Sequence, residues 1–148
     1  GVLADVATGY PVLLSELTEA AAHLILFLSP GCGPCGRIGP HLAEWDEQLG
    51  PVKVRAVVSS RPEVISSLPH LAGRAYFDPY GTARVAFGVG SPAAVLLGTD
   101  GMLAGGPVQG EDAVYDFVAE VTEHLLEAVA ASEPGGSPQE PGGVTDAR

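Results

Sequence analysis

Residues 24–45 read LILFLSPGCGPCGRIGPHLAEW and contain both cysteines of the chain, Cys32 and Cys35. The apolar run over residues 23–29 is typical of a β-strand that is covered on both faces. Over residues 35–49, apolar side chains recur at the spacing of an α-helix. The segment therefore predicts a buried strand whose carboxyl end leads directly to the cysteines, and in open α/β sheets this is the end at which sites form.

Strands and helices alternate along the rest of the chain. The further elements that we predict are an extended entry over residues 10–17, a brief helix over 15–22, a strand over 52–60, a helix over 62–73 broken at Pro69, a short extended stretch over 74–78, a short helix over 79–89, a β-hairpin over 93–108 with its turn at residues 99–101, and a final helix over 111–131. Alternation followed by a hairpin predicts an α/β fold with a central mixed β-sheet, flanked by helices on both faces.

Length and composition describe a globular domain with an acidic surface. The chain has 148 residues, of which 46% are hydrophobic and 17% are charged. This length and composition are sufficient for one globular domain with its own hydrophobic core. A net charge of −11, with seven lysines and arginines, argues against nucleic acid as a partner and offers no attraction to anionic lipid. Because residues 132–148 are rich in Pro, Gly and Ser, we expect a folded domain over residues 1–131 and a disordered tail over 132–148.

The sequence has no apolar run of about 18–20 residues, the length that a membrane span requires, and no secretory signal pattern at its start. It begins with Gly1, and Met102 is its only methionine. We therefore expect either that an N-terminal targeting or anchoring segment is missing or that the chain was cut from a longer protein.

Two cysteines separated by two residues at the start of a helix favour redox chemistry. The free N–H groups and the dipole of a helix N-terminus stabilise an anion, and Cys-X-X-Cys pairs in this setting lower the pKa of the first thiol to about 3.5–7.5. Pro34 suits the first helical turn, where its missing N–H is not needed, and Gly33 lets a partner's backbone approach closely. We therefore predict that Cys32 attacks or is attacked and that Cys35 resolves the mixed disulfide.

Two other uses of the cysteines stay open. A metallochaperone-like module would bind a metal through Cys32 and Cys35, with His41 as a third ligand, although a zinc site needs about four ligands. A non-catalytic domain would bind peptides without turnover. A purely structural disulfide is disfavoured, because so short a loop restrains little of the unfolded chain's entropy.

The pattern CGPC after a buried strand, with Pro40 five residues beyond the second cysteine, resembles the active site of the thioredoxin superfamily. The stretch FGVGSPAAVLLGTDGMLAGG at residues 87–106 resembles the segment in which that superfamily carries a cis-proline, here Pro92. Three stretches are most similar to the TlpA-like branch, which includes the methylamine-utilisation accessory (MauD-type) proteins: GYPVLLSEL at residues 9–17, the approach SPGCGPC at 29–35 and YFDPYGTARVAFGVGSP at 76–92. The similarity covers about residues 9–126. The resemblance implies a thioredoxin-like fold and thiol–disulfide exchange on protein cysteines. It assigns Cys32 and Cys35 as catalytic residues, and Gly33, Pro34, Ser91 and Pro92 as substrate-binding residues.

The resemblance also implies partners and a location. Members of that branch are typically extracytoplasmic, membrane-anchored disulfide reductases, so we expect protein thiols or disulfides and an upstream redox protein as partners. The cytoplasm is the second choice of location, and two cysteines in one motif fit either compartment. No metal and no organic cofactor are expected beside the redox-active Cys32–Cys35 disulfide. The direction of exchange and the oligomeric state do not follow from the sequence.

Three positions depart from cytosolic thioredoxin. Leu26 stands where that protein has a buried aspartate that helps to move protons to the resolving thiol. Gly31 replaces the tryptophan before the first cysteine, and Gly36 replaces the basic residue after the second. In this superfamily the residue before the cis-proline, here Ser91, contacts the thiolate and the partner's backbone. A dedicated exchange domain with few partners therefore fits better than a general reductase.

Several residues near these motifs are expected to have structural roles. They are Phe27 and Trp45 in the core, a kink at Pro40, Asp78 as a cap of the helix that follows it, His41 in packing or solvent, and Glu44 and Asp46 facing solvent.

Overall fold

The computed structural model describes residues 2–5, 10–29, 33–59, 71, 73–78 and 81–132. The chain divides into two compact units, Gly1–Val118 and Ala119–Arg148. The β-sheet and all the contacts described below belong to the first unit. In the second unit the described residues are the end of the last helix.

The described elements follow the predicted alternation. In chain order they are β1 (Val2–Asp5), β2 (Pro11–Leu13), α1 (Leu14–Ala20), β3 (His23–Leu28), α2 (Gly33–Ile38), a 3₁₀ turn (Gly39–His41), α3 (Leu42–Gln48), β4 (Lys53–Val58), β5 (Ala75–Phe77), α4 (Thr82–Phe87), β6 (Ala93–Leu97), β7 (Leu103–Gln109) and α5 (Glu111–Ser132).

The seven described strands form one mixed sheet in the order β2-β1-β5-β4-β3-β6-β7. β3 pairs in parallel with β4, which pairs in parallel with β5, whereas β6 runs antiparallel to β3 and β7 antiparallel to β6. β3 lies inside the sheet, and all six of its residues are buried, so both of its faces are covered, as the continuous apolar run predicts. The expectation of a mixed sheet flanked by helices is confirmed.

The two faces of β3 contribute to the core with alternate residues, as the period of a strand requires. Ile25 and Phe27 belong to a buried cluster with Val57 and Val95, and the ring of Phe27 lies 5.9 Å from that of Phe87. The other face presents Leu24 and Leu26, both fully buried. Phe27 and Trp45 are buried, so their prediction as core aromatics is confirmed.

The helix predicted over residues 35–49 is interrupted at Pro40. α2 ends at Ile38, a 3₁₀ turn holds Pro40, and α3 begins at Leu42. A proline has no N–H to donate to the preceding turn and its ring crowds that turn, so the kink that we expected here is confirmed. The predicted helix over residues 62–73, with Pro69, and the predicted tail lie outside the described residues except for Leu71, Gly73 and Ser132.

One strand of the sheet was not predicted. β1 pairs antiparallel with both β2 and β5, and beside this ladder the N–H of Asp5 donates to the carbonyl of Tyr10 at 3.0 Å. β1 is only four residues long, VLAD, so it carries too little alternation to be recognised as a strand. Its place depends on pairing with distant segments rather than on a local pattern.

The solvent-facing role expected for Asp46 is wrong. Its side chain is 16% exposed and accepts hydrogen bonds from the N–H of Val54 at 2.9 Å, from Arg55 at 2.9 Å and from Arg74 at 3.2 Å. Three donors that come from β4 and the approach to β5 therefore hold α3 against the sheet. Glu44, with 68% of its side chain exposed, does face solvent.

Candidate functional site

Cys35 lies on α2 with its side chain almost fully enclosed. It is 5% exposed and disulfide-bonded, and the backbone N–H of Ser29 donates to its sulfur at 3.4 Å. Cys32, the only other cysteine of the chain, lies outside the described residues. The sulfur of Cys35 therefore faces the residue that directly follows β3, at the carboxyl end of that strand.

The antiparallel pairing of β3 with β6 brings Ser91 to the same place. Phe27 lies opposite Ala93 in this ladder, and continuing the register by two residues places Ser29 opposite Ser91. Their hydroxyl oxygens are 2.9 Å apart. Residues 62 positions apart in the sequence thus meet next to the sulfur of Cys35.

The Ser91–Pro92 peptide bond is cis, in agreement with the expectation for this segment. Pro92 is buried, and its carbonyl accepts a hydrogen bond from the N–H of Gly110 at 2.9 Å. Two residues earlier, the N–H of Gly90 donates to the side chain of Gln109 at 2.8 Å. The segment before β6 is therefore attached at two points to the end of β7.

Gly33 and Pro34 form the first turn of α2. Gly33 is exposed, and the nearest atom to a Cβ built on it is Nη1 of Arg37 at 3.8 Å. Within the described residues, no close packing therefore requires a glycine here. Pro34 is half-buried in a first helical turn, where its fixed φ suits the helix.

Asp78 caps α4, as the sequence predicts. Its carboxylate is fully buried, and it accepts hydrogen bonds from the N–H groups of Thr82 and Ala83, at 3.1 Å each. These are two of the N–H groups at a helix start that have no partner within the helix. The cap fixes the start of α4, which carries Arg84 toward the site.

Arg84 contacts the candidate site through Ser91. Nη1 of its guanidinium lies 3.5 Å from the hydroxyl oxygen of Ser91, and the side chain is partly buried. The carbonyl of Arg84 accepts the N–H of Val89 at 3.1 Å, so the chain turns back sharply after α4 toward Ser91. Neither Arg84 nor Ser29 was predicted as a site residue.

A second polar cluster joins α2 to the first turn of α5. Arg37 forms an ion pair with Glu111, and the hydroxyl of Tyr115 also donates to Glu111 at 3.2 Å. The hydrogen bond from Arg37 lowers the pKa of Glu111, and the same bond raises the pKa of Arg37. Burial and the bond to Glu111 raise the pKa of Tyr115.

His41 is used in packing. Its ring stacks on Trp45 at 5.2 Å, with 15° between the ring planes, and contacts the ring of Tyr115 edge-on at 5.7 Å. In the part of the chain that the structure describes, there is no group of three or more His, Cys, Asp or Glu residues that could hold a metal ion.

The position that holds an aspartate in cytosolic thioredoxin is apolar here. Leu26 is fully buried and lies between Ala56 of β4 and Ala94 of β6 in the sheet. Among the described residues, the N–H of Ser29 contacts the sulfur of Cys35. Ser91 is hydrogen-bonded to Ser29, and Arg84 to Ser91. Ser29 belongs to the approach SPGCGPC and could have been found from its distance to the cysteines, but no spacing marks Arg84.

Among the described residues, no helix is both long enough and apolar enough to span a membrane. No protein-family model and no curated protein matches the chain. Solved structures do match, at identities between 17% and 21% for three of them.

The exposed lipoprotein thioredoxin Etrx1 of Streptococcus pneumoniae is 21% identical, with a TM-score of 0.65 over 81% of this chain and 98% of that one. A secreted Mycobacterium tuberculosis disulfide oxidoreductase, described as homologous to E. coli DsbE, is 19% identical with a TM-score of 0.62, over 81% and 95%. StoA of Bacillus subtilis is 17% identical with a TM-score of 0.63, over 82% and 96%. The chain therefore has the thioredoxin-like fold expected from its sequence, and its structure is similar to those of extracytoplasmic thioredoxin-like proteins, among them a disulfide oxidoreductase.

Proposed function

We propose that this chain is a thiol–disulfide oxidoreductase that acts on protein cysteines through Cys32 and Cys35. The observation that carries the proposal is the enclosed, disulfide-bonded sulfur of Cys35. It accepts a hydrogen bond from Ser29, whose hydroxyl is bonded to Ser91, the residue before the cis bond to Pro92. A disulfide with a role only in stability would not need a polar cluster on the sulfur, and a loop this short adds little stability. The similarity to solved thiol–disulfide oxidoreductases supports the same conclusion.

The reduction of a partner disulfide would take two displacements. The thiolate of Cys32 attacks one partner sulfur, so that a mixed disulfide forms and the other partner sulfur leaves as a thiolate. The thiolate of Cys35 then attacks Cys32, so that the Cys32–Cys35 bond forms and the second partner sulfur leaves. The partner gains two electrons and takes up two protons from water, and an upstream dithiol protein returns two electrons to this chain.

The same residues would align the partner. In this proposal the backbone around Ser91 and Pro92 pairs with the incoming chain as with an added strand. Gly33 and Pro34 form the other side of the approach, where the exposed Gly33 lets the partner's backbone come close. The pair of sulfurs carries both electrons, so the reaction needs neither a metal nor an organic cofactor.

We further propose a TlpA-type reductase that works outside the cytoplasm and is attached to the membrane by a segment outside this sequence. The support is the resemblance of the motifs to that branch, together with the descriptions of two structural neighbours as an exposed lipoprotein and as a secreted protein. Its partners would be extracytoplasmic proteins with disulfides and one upstream redox protein.

The proposal is tested by disulfide reduction in insulin and by oxidative refolding of a reduced substrate protein, each measured for the wild type and for Cys32→Ser. We expect activity that the substitution abolishes. A Cys35→Ser variant should accumulate partners as mixed disulfides on Cys32, and a variant that lacks both cysteines is the matched control. The trapped proteins would identify the substrate, the compartment and the direction of exchange.

Two results would overturn the proposal in favour of the alternatives. Stoichiometric, tightly bound metal after anaerobic purification, lost in Cys35→Ser, would indicate a metallochaperone-like module. Peptide binding without any cysteine-dependent exchange in either assay would indicate a non-catalytic domain.

A further inference from the structure

Arg84 differs from the other arginines that the structure describes. Arg37, Arg55 and Arg74 each form an ion pair with a carboxylate, whereas within the described part of the chain the guanidinium of Arg84 has a hydrogen bond to the hydroxyl of Ser91 and no ion pair. In a chain with a net charge of −11, a partly buried cation with no acidic partner among the described residues lies at the candidate redox site.

Three contacts link this cation to the sulfur of Cys35. A guanidinium can only donate hydrogen bonds, so the oxygen of Ser91 is the acceptor for Arg84. The hydroxyls of Ser91 and Ser29 are bonded to each other at 2.9 Å, and the N–H of Ser29 donates to the sulfur of Cys35 at 3.4 Å. The charge of Arg84 is therefore connected, through two serines, to the atom that becomes a thiolate when the disulfide opens.

We propose that Arg84 is a positioning residue that shifts the thiol–disulfide equilibrium of this chain toward the reduced form, acting through Ser91 and Ser29 on Cys35. The inference rests on the proposed function and adds to it the residue that sets the redox equilibrium. It assigns this role to a side chain to which the resemblance gives no role in the site.

The physical reason is the burial of the Cys35 sulfur. When a partner thiolate attacks Cys32, the disulfide breaks and the electron pair of the broken bond stays on Cys35. A charge in so enclosed a position is costly unless donors or opposite charges stabilise it. Leu26 offers neither. Among the described residues, the N–H of Ser29 donates to this sulfur. The positive charge of Arg84, held in place by its contact with Ser91, adds an electrostatic attraction for the thiolate.

The fold holds Arg84 in this place. The buried carboxylate of Asp78 fixes the first turn of α4, and the bond between the carbonyl of Arg84 and the N–H of Val89 closes the turn after the helix. The guanidinium therefore contacts Ser91 from a short helix that is anchored at both ends.

The reaction to be measured is the reduction of the Cys32–Cys35 disulfide by glutathione. The protein disulfide breaks, the disulfide of two glutathione molecules forms, and their two protons pass to the protein sulfurs or to water. The chain is equilibrated in buffers of known glutathione ratio, free thiols are alkylated, and the reduced fraction is counted by mass. The equilibrium constant for reduction follows directly.

Arg84→Gln removes the charge and leaves an N–H donor on a shorter side chain. We expect this equilibrium constant to fall about threefold to tenfold, which corresponds to about 14–30 mV for a two-electron couple. Arg84→Lys keeps the positive charge, so the equilibrium constant should fall less in this variant than in Arg84→Gln. Lys53→Gln is the matched control, because it removes one positive charge from an exposed residue at the amino end of β4, the end opposite to Ser29, and it should change the constant less than twofold.

A double-mutant cycle separates the proposed chain of contacts from a general effect on folding. Ser91→Ala alone should lower the constant, and adding Arg84→Gln should lower it little further, while both variants keep the wild-type circular dichroism spectrum. The inference is overturned if Arg84→Gln changes the constant no more than Lys53→Gln does, or if the effects of Arg84→Gln and Ser91→Ala add in full. If Arg84→Gln does not fold, the comparison of Ser91→Ala with Lys53→Gln decides by the same criterion. If the wild-type chain reduced no partner disulfide while its own disulfide still equilibrated with glutathione, the proposed function would be refuted. The measurement on Arg84 would remain valid.

Discussion

Arg37 and Glu111 form an ion pair with two short hydrogen bonds, 2.9 Å from Nε of Arg37 to Oε2 and 2.7 Å from Nη2 to Oε1. The pair joins the helix that carries Cys35 to the first turn of α5, where the helix dipole also favours an acid. It therefore attaches the last turn of α2, the helix that carries Cys35, to the start of α5.

Glu111→Gln should lower the stability of the fold by an amount that depends on pH. Because the pKa of Glu111 is lowered in the folded state, the unfolded chain binds the proton first. The contribution of the carboxylate is present above the ordinary pKa of a glutamate and is lost as the pH falls through the folded-state value. The urea midpoints of wild type and variant should differ at about pH 7 and converge toward about pH 2. Asp112→Asn, an exposed acid in the same turn, is the control, and an equal gap at both pH values would contradict the prediction.

The cluster around Asp46 should contribute more to stability than its exposed neighbour Glu44. Partial burial of Asp46 opposes its charge, but the N–H of Val54, together with Arg55 and Arg74, lowers the pKa of its carboxyl group overall. Asp46→Ala leaves these donors without their acceptor, so we expect a loss of about 1–3 kcal/mol in the free energy of unfolding. Glu44→Ala, on the same helix, should lose less than about 0.5 kcal/mol in the same urea titrations.

The contribution of Asp46 also depends on pH. Since its folded-state pKa is lowered, the stabilisation is present above the ordinary aspartate value of 3.8 and is lost as the pH falls through the folded-state value. If the free energy of unfolding of Asp46→Asn stayed equally far below that of wild type in strong acid, the result would contradict the prediction. The stabilisation would then not depend on the charge of the carboxylate.

His23 should make the fold less stable in mild acid. It is buried, and burial lowers the pKa of its imidazole, while the bond of Nδ1–H to the carbonyl of Ala21 at 2.8 Å opposes the shift. Because the unfolded chain takes up the proton first, stability is complete above the ordinary value of 6.5 and decreases as the pH falls toward the folded-state pKa. Urea midpoints between about pH 8 and pH 5 should fall less for His23→Gln than for wild type. His124→Gln, at an exposed position, is the control, and its urea midpoints should vary with pH as those of wild type do.

Removal of the α4 cap should affect both stability and the redox equilibrium. Asp78→Ala deprives two helix N–H groups of their acceptor, so we expect a loss of about 1–2 kcal/mol. Because the same cap positions Arg84, the equilibrium with glutathione should move in the direction of Arg84→Gln. The comparison variant is Asp100→Ala, which removes an acceptor for the N–H of Met102 in the hairpin turn and should leave the redox equilibrium unchanged. If the two aspartate variants had the same equilibrium constant with glutathione, the cap at Asp78 would not influence the redox equilibrium, and the prediction would be wrong.

The sequence predicts the features whose signals are local. The buried strand β3, the hairpin turn near Asp100 and the cap formed by Asp78 each depend on residues within a few positions of one another. Periodicity and turn chemistry are sufficient for such elements. The cis bond before Pro92 is different, because it is expected from the resemblance of residues 87–106 to the thioredoxin superfamily and not from a local pattern.

The remaining features depend on contacts between distant segments. Asp46 reads as an exposed acid on a helix until folding brings Arg55 and Arg74 against it, 9 and 28 residues farther along the chain. Arg84 meets Ser29 through Ser91 only because β6 runs antiparallel to β3. No local sequence pattern predicts these contacts, because the pairing of the strands brings the residues together.

The outer edge of β7 has a consequence for how copies of the protein behave when they crowd together. β7 is the last strand of the sheet on its side, its pairing with β6 is irregular, and it contains Pro107, which has no N–H to offer. A neighbouring molecule that added a strand there would find an interrupted row of donors, so open-ended growth from sheet to sheet is discouraged at this edge. We therefore expect the hairpin to discourage edge-to-edge association as well as to complete the described sheet.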